Sequence, residues 1–176
     1  MAEEKKEKWT QWVALTTTIL AVCAAISSLK GGGYSTKVQL ATTMEVNKWS
    51  YFQAKSLKQN LREQEAVLLE VAALEARTPE GKKLAQDQHQ AALAEVKRYA
   101  AEKDAIKAEA EKLKEDEDLN KRHGGAFGQA VMLLQIAITM SAVGALIKRK
   151  PMWWFGLAFG VAGLVYMANG FFLFFG

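Results

Sequence analysis

The residues of this chain that could do chemistry are few and far apart. They are Cys23, His89, His123 and the acidic run at residues 115–118. An enzyme needs a nucleophile, an acid–base pair or a bound metal held close together in a pocket. Here the thiol lies inside an apolar run, the histidines are distant from each other, and most carboxylates occupy solvated helix positions. We therefore expect no enzymatic activity, no cofactor and no metal site.

Three apolar runs without Asp, Glu, Lys or Arg organise the rest of the chain. They cover residues 9–29, 126–147 and 152–175. Each run reaches the roughly 20 residues that a helix needs to cross a bilayer. The sequence therefore predicts an all-α integral membrane protein with three transmembrane helices, a polar N-terminal segment at residues 1–8 and a short basic loop at residues 148–151.

The long segment between the first two runs, residues 30–125, has a different composition. It is rich in Ala, Glu, Lys, Leu and Gln and contains a single proline, which is typical of long helices. Thr78-Pro79-Glu80 combines a capping hydroxyl, a proline at the first helical position and an early acid. This insert is therefore predicted to be an antiparallel coiled-coil hairpin with helices at about 36–77 and 79–120.

Heptad spacing predicts which residues face each other inside the hairpin. Steps of three and four that start from each side of the turn give two series whose midpoint falls at Glu80. The predicted seam of the first helix is Asn47, Ser50, Ala54, Leu57, Leu61, Gln64, Leu68 and Val71. That of the second helix is Ala85, His89, Ala92, Val96, Tyr99, Lys103, Ile106, Ala110 and Leu113.

Apolar side chains outside this seam predict a second contact surface on the first helix. The predicted interaction face is formed by Trp49, Tyr51, Phe52, Val67, Leu69 and Leu74. An isolated hairpin cannot bury so much of one helix, so we expect this face to contact either a second copy of the chain or another membrane protein complex.

Small and polar residues in the apolar runs predict how the membrane helices pack. Gly156, Gly160 and Gly163 have the spacing that lets two helices approach closely in lipid. Gln135, near the middle of the second run, needs a hydrogen-bond partner in the hydrocarbon. We expect that partner on a neighbouring helix; the alternative is that Gln135 lines a water path.

Basic residues predict the orientation in the membrane. Lys148, Arg149 and Lys150 form the only short internal loop and lie on the same side as the N-terminal segment, so that side is predicted to be cytoplasmic and the hairpin extracytoplasmic. The inverted topology stays open, because four further basic residues flank the membrane on the side of the hairpin. They are Lys30, Lys37, Lys121 and Arg122.

Charge and composition favour an interaction role. The net charge of +4 resides mostly in the basic loop, and charge in the insert is nearly balanced, so nucleic acid is not an expected partner. The leading hypothesis is a homo-oligomer, anchored in membrane lipid, that projects the hairpin as a stalk. The alternatives are a pore-forming channel or transport accessory subunit lined by the second transmembrane helix, and a monomeric or dimeric subunit of an unrelated complex.

The tract W-S-Y-F-Q-A-K-S-L-K at residues 49–58, which follows S-L-K-G-G-G-Y-S at residues 28–35, resembles an uncharacterised family of small three-pass bacterial membrane proteins. The resemblance implies the bacterial inner membrane and no activity. The order of elements is also similar to that of proton-channel subunits of energy-transducing motors. No carboxylate lies inside an apolar run, however, so a proton relay would have no usual carrier.

Overall fold

The computed structural model describes residues 8–175 and consists of three α-helices. Helix α1 comprises Lys8–Glu75, α2 comprises Pro79–Leu146 and α3 comprises Lys150–Phe172. The described residues contain no strand, so the all-α prediction is confirmed. The predicted N-terminal segment, apart from residue 8, lies outside the described residues.

The chain forms two compact units. The apolar unit comprises Met1–Gln39 and Glu117–Gly176, and the two-helix unit comprises Leu40–Asp116. Each of the three helices contains a stretch that is long and apolar enough to cross a membrane. That finding agrees with a membrane protein and rests on helix length and composition.

The glycine segments that flank the insert are helical. Residues 31–33 belong to α1 and residues 124–125 belong to α2, and none of these glycines has a positive φ. The structure thus differs from the predicted helix starts and ends near residues 36 and 120. Each glycine costs a helix only about 0.5–1 kcal/mol relative to alanine, which long helical neighbours can absorb. Gly31 also permits close packing, since a Cβ there would lie 3.3 Å from the Cβ of Phe127.

The turn between α1 and α2 is capped by Thr78. Its hydroxyl accepts a hydrogen bond from the backbone N–H of Gly81 at 3.2 Å, and its carbonyl accepts one from Lys82 at 3.0 Å. Pro79 is the first residue of α2, where the missing N–H leaves no unsatisfied donor. The turn therefore lies where the sequence places it.

Alanines form the contact between the helices of the two-helix unit. Ala66 and Ala73 of α1 and Ala85 and Ala92 of α2 are each less than a tenth exposed. Their spacing of seven residues on both helices places them on one face of each. Side chains this small allow the two backbones to approach closely.

The structure corrects the predicted seam of the first helix. Helix α2 buries its predicted face, including Tyr99 and Ala110. On α1, however, Leu57, Leu61 and Leu68 remain 62%, 56% and 70% exposed, so the predicted seam is wrong on that helix. Apolar periodicity predicts that the leucines of α1 face α2. In the folded unit, small alanines and lysines that pair with glutamates lie on that face instead.

In the apolar unit, α3 packs through its glycines. Gly156, Gly160 and Gly163 are buried. A Cβ at Gly156 would lie 2.5 Å from the Oγ of Ser141, and one at Gly163 would lie 2.8 Å from the Cγ of Leu134. A side chain at Gly156 would therefore clash with α2, and one at Gly163 would require the Leu134 side chain to move.

Candidate interaction and binding surfaces

A regular row of exposed apolar side chains lies on α1 in the two-helix unit. We call Leu57, Leu61, Leu68 and Val71 the leucine stripe; they follow heptad spacing, and Val71 is 46% exposed. Val67 and Leu74, from the predicted interaction face, are 60% and 79% exposed beside it. Apolar side chains in such a row on one helix face are typical of a helix–helix contact.

The rest of the predicted interaction face is more enclosed. Trp49 and Phe52 are only half-exposed or less, and their rings meet edge to face with centroids 5.5 Å apart. The indole of Trp49 donates a hydrogen bond to Glu45 at 3.2 Å, and the ammonium of Lys103 lies 5.2 Å from the ring centre of Phe52. These rings therefore already have contacts within their own chain.

Tyr51 and Leu69 complete the predicted interaction face and lie in different surroundings. Tyr51 is 62% exposed, whereas Leu69 is half-buried. The exposed part of the predicted face is thus Tyr51, Val67 and Leu74.

Ion pairs connect α1 and α2 within the two-helix unit. Lys48 pairs with Glu109 and Lys55 pairs with Glu102. The hydrogen bond from Lys55, assisted by its positive charge, lowers the pKa of Glu102 below its ordinary value. These pairs place lysines on the inner face of α1, where the sequence predicted leucines.

Two further polar contacts are found in this unit. Lys103 donates a hydrogen bond to the side-chain oxygen of Gln59 at 3.1 Å, which joins α2 to α1. Arg62 pairs with Glu65 along α1, and that hydrogen bond raises the pKa of Arg62. The guanidinium therefore stays charged next to the leucine stripe.

Gln135 is exposed on the outer surface of the apolar unit. Its backbone carbonyl accepts a hydrogen bond from Thr139 at 2.9 Å, but its side chain bonds to no other residue in the range 8–175. On the same face, Gly125 and Gly128 have nothing within 4 Å of a Cβ position. The interhelical partner that the sequence predicts for Gln135 is thus absent within the described chain.

The end of the apolar unit that carries the basic loop is rich in tryptophan. The indole of Trp153 donates a hydrogen bond to the hydroxyl of Thr16 at 3.3 Å, which joins α3 to α1. Trp12 and Trp154 are 59% and 64% exposed. Lys148, Arg149 and Lys150 are exposed, and Lys148 has a φ of 53° in the loop that leads into α3.

The opposite end of the apolar unit holds an aromatic cluster that sequence reasoning missed. The rings of Tyr34 and His123 stack at 4.7 Å, and Tyr34 also stacks on Phe127 at 5.8 Å. His123 donates from Nδ1 to the carbonyl of Gly170 at 2.8 Å, because a carbonyl oxygen can only accept. The cluster therefore ties α1, α2 and α3 together.

A sequence signal for this cluster existed. Lys30, Tyr34 and Lys37 are spaced by four and three residues, which places them on one face of a helix. The predicted start of the first hairpin helix near residue 36 left Lys30 and Tyr34 outside that helix and hid the periodicity. Within residues 8–175, no group of three or more histidine, cysteine or acidic side chains could hold a metal ion.

These surfaces define an all-helical protein with three helices apolar enough to cross a membrane and with an exposed apolar face on its two-helix unit. The chain belongs to the DUF4337 family, described as a domain of unknown function, whose model matches residues 9–173. The resemblance to an uncharacterised family is thereby confirmed. Neither the curated proteins nor the solved structures include a match to this chain.

Proposed function

We propose that this protein is a membrane-anchored homo-oligomer with a structural or interaction role. In this proposal the apolar unit spans the bacterial inner membrane three times, and the two-helix unit stands outside the bilayer as a coiled-coil stalk. The basic loop and the N-terminus are on the cytoplasmic side, following the positive-inside rule. The stalk organises a patch of membrane or a partner membrane protein complex.

Membrane insertion is supported by the surface of the apolar unit. Leu15, Ile19, Val22 and Ile26 of α1 are between 40% and 56% exposed, and Phe155 and Val161 of α3 are both 61% exposed. A contiguous apolar surface of this kind is rarely left in water, and lipid chains would cover it. The tryptophans around the basic loop fit the headgroup region, where such rings are enriched.

The observation that carries the oligomer is the leucine stripe. Leu57, Leu61 and Leu68 are more than half exposed although they keep heptad spacing. A heptad row needs a matching helix, and the second helix of the same chain is already in contact with the alanine face of α1. A second copy of α1 offers a row of the same spacing and chemistry. We therefore infer that α1 helices of different chains meet along this stripe.

The test is the mass of the purified full-length protein in lipid nanodiscs, measured by native mass spectrometry. A discrete complex of two or more chains is the expected result. A single chain at all concentrations, with the protein still inserted, would overturn the oligomer. If a different protein co-purifies in a fixed ratio with one copy of this chain, the chain is a subunit of an unrelated complex and the homo-oligomer hypothesis is wrong.

A second candidate, a pore or transport accessory subunit, is favoured by the exposed face of α2. Gln135 and Thr139 lie there with Gly125 and Gly128. In an oligomer these residues could line a path with the Gln135 amide facing water. Conductance across planar bilayers that changes in Gln135→Leu would support a pore. An oligomer that is electrically silent before and after that substitution would remove it.

A further inference from the structure

A cleft of about 310 Å³ lies in the apolar unit and is lined by Leu29, Lys30, Gly33, Tyr34 and Lys37. All five residues belong to α1. Leu29 is the last residue of the first predicted membrane span, residues 9–29, and the other four follow it. The cleft therefore lies where an apolar surface meets a basic one.

The described contacts of the two cleft lysines are with aromatic rings. The ammonium of Lys30 lies 5.8 Å from the ring centre of Phe171, and that of Lys37 lies 5.1 Å from the ring centre of Tyr34. No carboxylate among residues 8–175 pairs with either lysine. Two positive charges on one helix face thus depend on aromatic rings and solvent.

Tyr34, which lines the cleft, has its ring held by the neighbouring helices. Tyr34 stacks on His123 at 4.7 Å, and His123 is held in turn by the carbonyl of Gly170. The phenol hydroxyl of Tyr34 makes no hydrogen bond to a described residue, so it is available as a donor. A Cβ at Gly33 would meet nothing within 4 Å, which leaves the cleft open.

This combination fits the phosphate of a lipid. Ammonium groups bind phosphate as point charges, and a phenol adds one directed hydrogen bond. Leu29 is 79% exposed on the rim and offers an apolar contact for an acyl chain. We propose that Lys30, Lys37 and Tyr34 bind the headgroup phosphate of an anionic phospholipid. The inference rests on the proposed membrane insertion, and it also accounts for basic residues on this side of the membrane.

The test uses full-length protein in nanodiscs that contain a zwitterionic lipid and a minor fraction of phosphatidylglycerol. Lipids that remain bound after release from the disc are counted by native mass spectrometry. The wild type is expected to retain phosphatidylglycerol above its share of the disc. Lys30→Gln with Lys37→Gln should weaken that retention by about 30-fold, since each lysine near an anionic surface contributes about a fivefold factor.

Matched variants distinguish a specific effect of the cleft from a general effect of positive charge. Lys82→Gln with Lys83→Gln removes the same charge from two exposed lysines of the two-helix unit and should leave retention unchanged. Lys30→Arg with Lys37→Arg should restore it. Tyr34→Phe keeps the ring stack and should lower retention severalfold. Equal loss in both Lys→Gln pairs would overturn the site, because bulk charge would then be sufficient.

Two further measurements distinguish failure of the lipid site from failure of the proposed membrane insertion, and the lipid from free phosphate. Extraction of membranes with alkaline carbonate reports insertion. Protein that stays in the pellet but retains no excess of phosphatidylglycerol overturns the cleft alone, whereas protein that is extracted overturns the proposed function. Phosphorus NMR with inorganic phosphate gives the other arm. If the protein broadens the phosphorus line of free phosphate as strongly as that of the lipid, the lipid is not the specific ligand.

Discussion

Substitution of three leucines on the stripe should dissociate the oligomer without unfolding the chain. The change is Leu57→Gln with Leu61→Gln and Leu68→Gln. The three side chains are 62%, 56% and 70% exposed, so the two-helix unit by itself gains little from them. Their burial against a second chain would supply most of the apolar contact that we propose.

The magnitude follows from the exposed fractions. Full burial of a leucine stabilises by about 1.5–3 kcal/mol, so the part still exposed is worth about 1–2 kcal/mol for each side chain. The three leucines would then contribute about 3–6 kcal/mol per chain. Side-chain ordering and desolvation offset part of this free energy. If half of it contributes to the free energy of association, the substitutions weaken association by about 10-fold or more.

Mass in nanodiscs over a range of protein concentrations measures this effect. The matched control is Leu84→Gln with Leu93→Gln and Leu119→Gln, which removes three leucines of α2 that are 60%, 41% and 50% exposed. Circular dichroism of both variants should match the wild type. If the stripe variant assembles like the control, or if both dissociate equally, the leucine stripe is not the contact.

Three further predictions concern stability. The pKa of Glu102 is lowered in the folded state, so its ion pair stabilises the folded protein at pH values above the ordinary pKa range of glutamate. This stabilisation is lost as the pH falls through the lowered pKa. Glu102→Gln should therefore weaken the dependence of the melting temperature on pH in the acid range. Ala92→Leu should overpack the alanine contact and destabilise by about 1–3 kcal/mol in urea unfolding, whereas Ala72→Leu, at an exposed position, should be nearly neutral. Gly156→Ala should lower the melting temperature, since its Cβ would lie 2.9 Å from a backbone oxygen, whereas Gly33→Ala, with open space, should raise it.

Local turn chemistry and apolar run length were readable from the sequence. Thr78 and Pro79 act within a few residues, so the bend does not depend on distant packing. The face of α2 was also predicted, because alternative apolar faces are few on a helix with charged outer positions. These features are decided by short-range physics.

The face of α1 that contacts α2 could not be predicted from the sequence, because two faces of α1 are suited to a helix contact. One carries leucines, and the other carries Ala66, Ala73 and lysines that meet glutamates of α2. Hydrophobic periodicity ranks the leucine face first, but close approach and charge pairing depend on the partner helix and are invisible in one helix alone. The Tyr34–His123 stack was missed for a related reason, since it joins residues far apart in sequence.

The most direct test of the central claim is disulfide formation between chains along α1 in native membranes. The single native cysteine, Cys23, is replaced by serine, and single cysteines are then introduced from residue 57 to residue 68. Disulfides need Cα atoms within about 7 Å, so only contacting positions react under mild oxidation. Our account predicts maxima at Leu57, Leu61 and Leu68 with a heptad period. Flat reactivity, or maxima on the alanine face at Ala66, would contradict it.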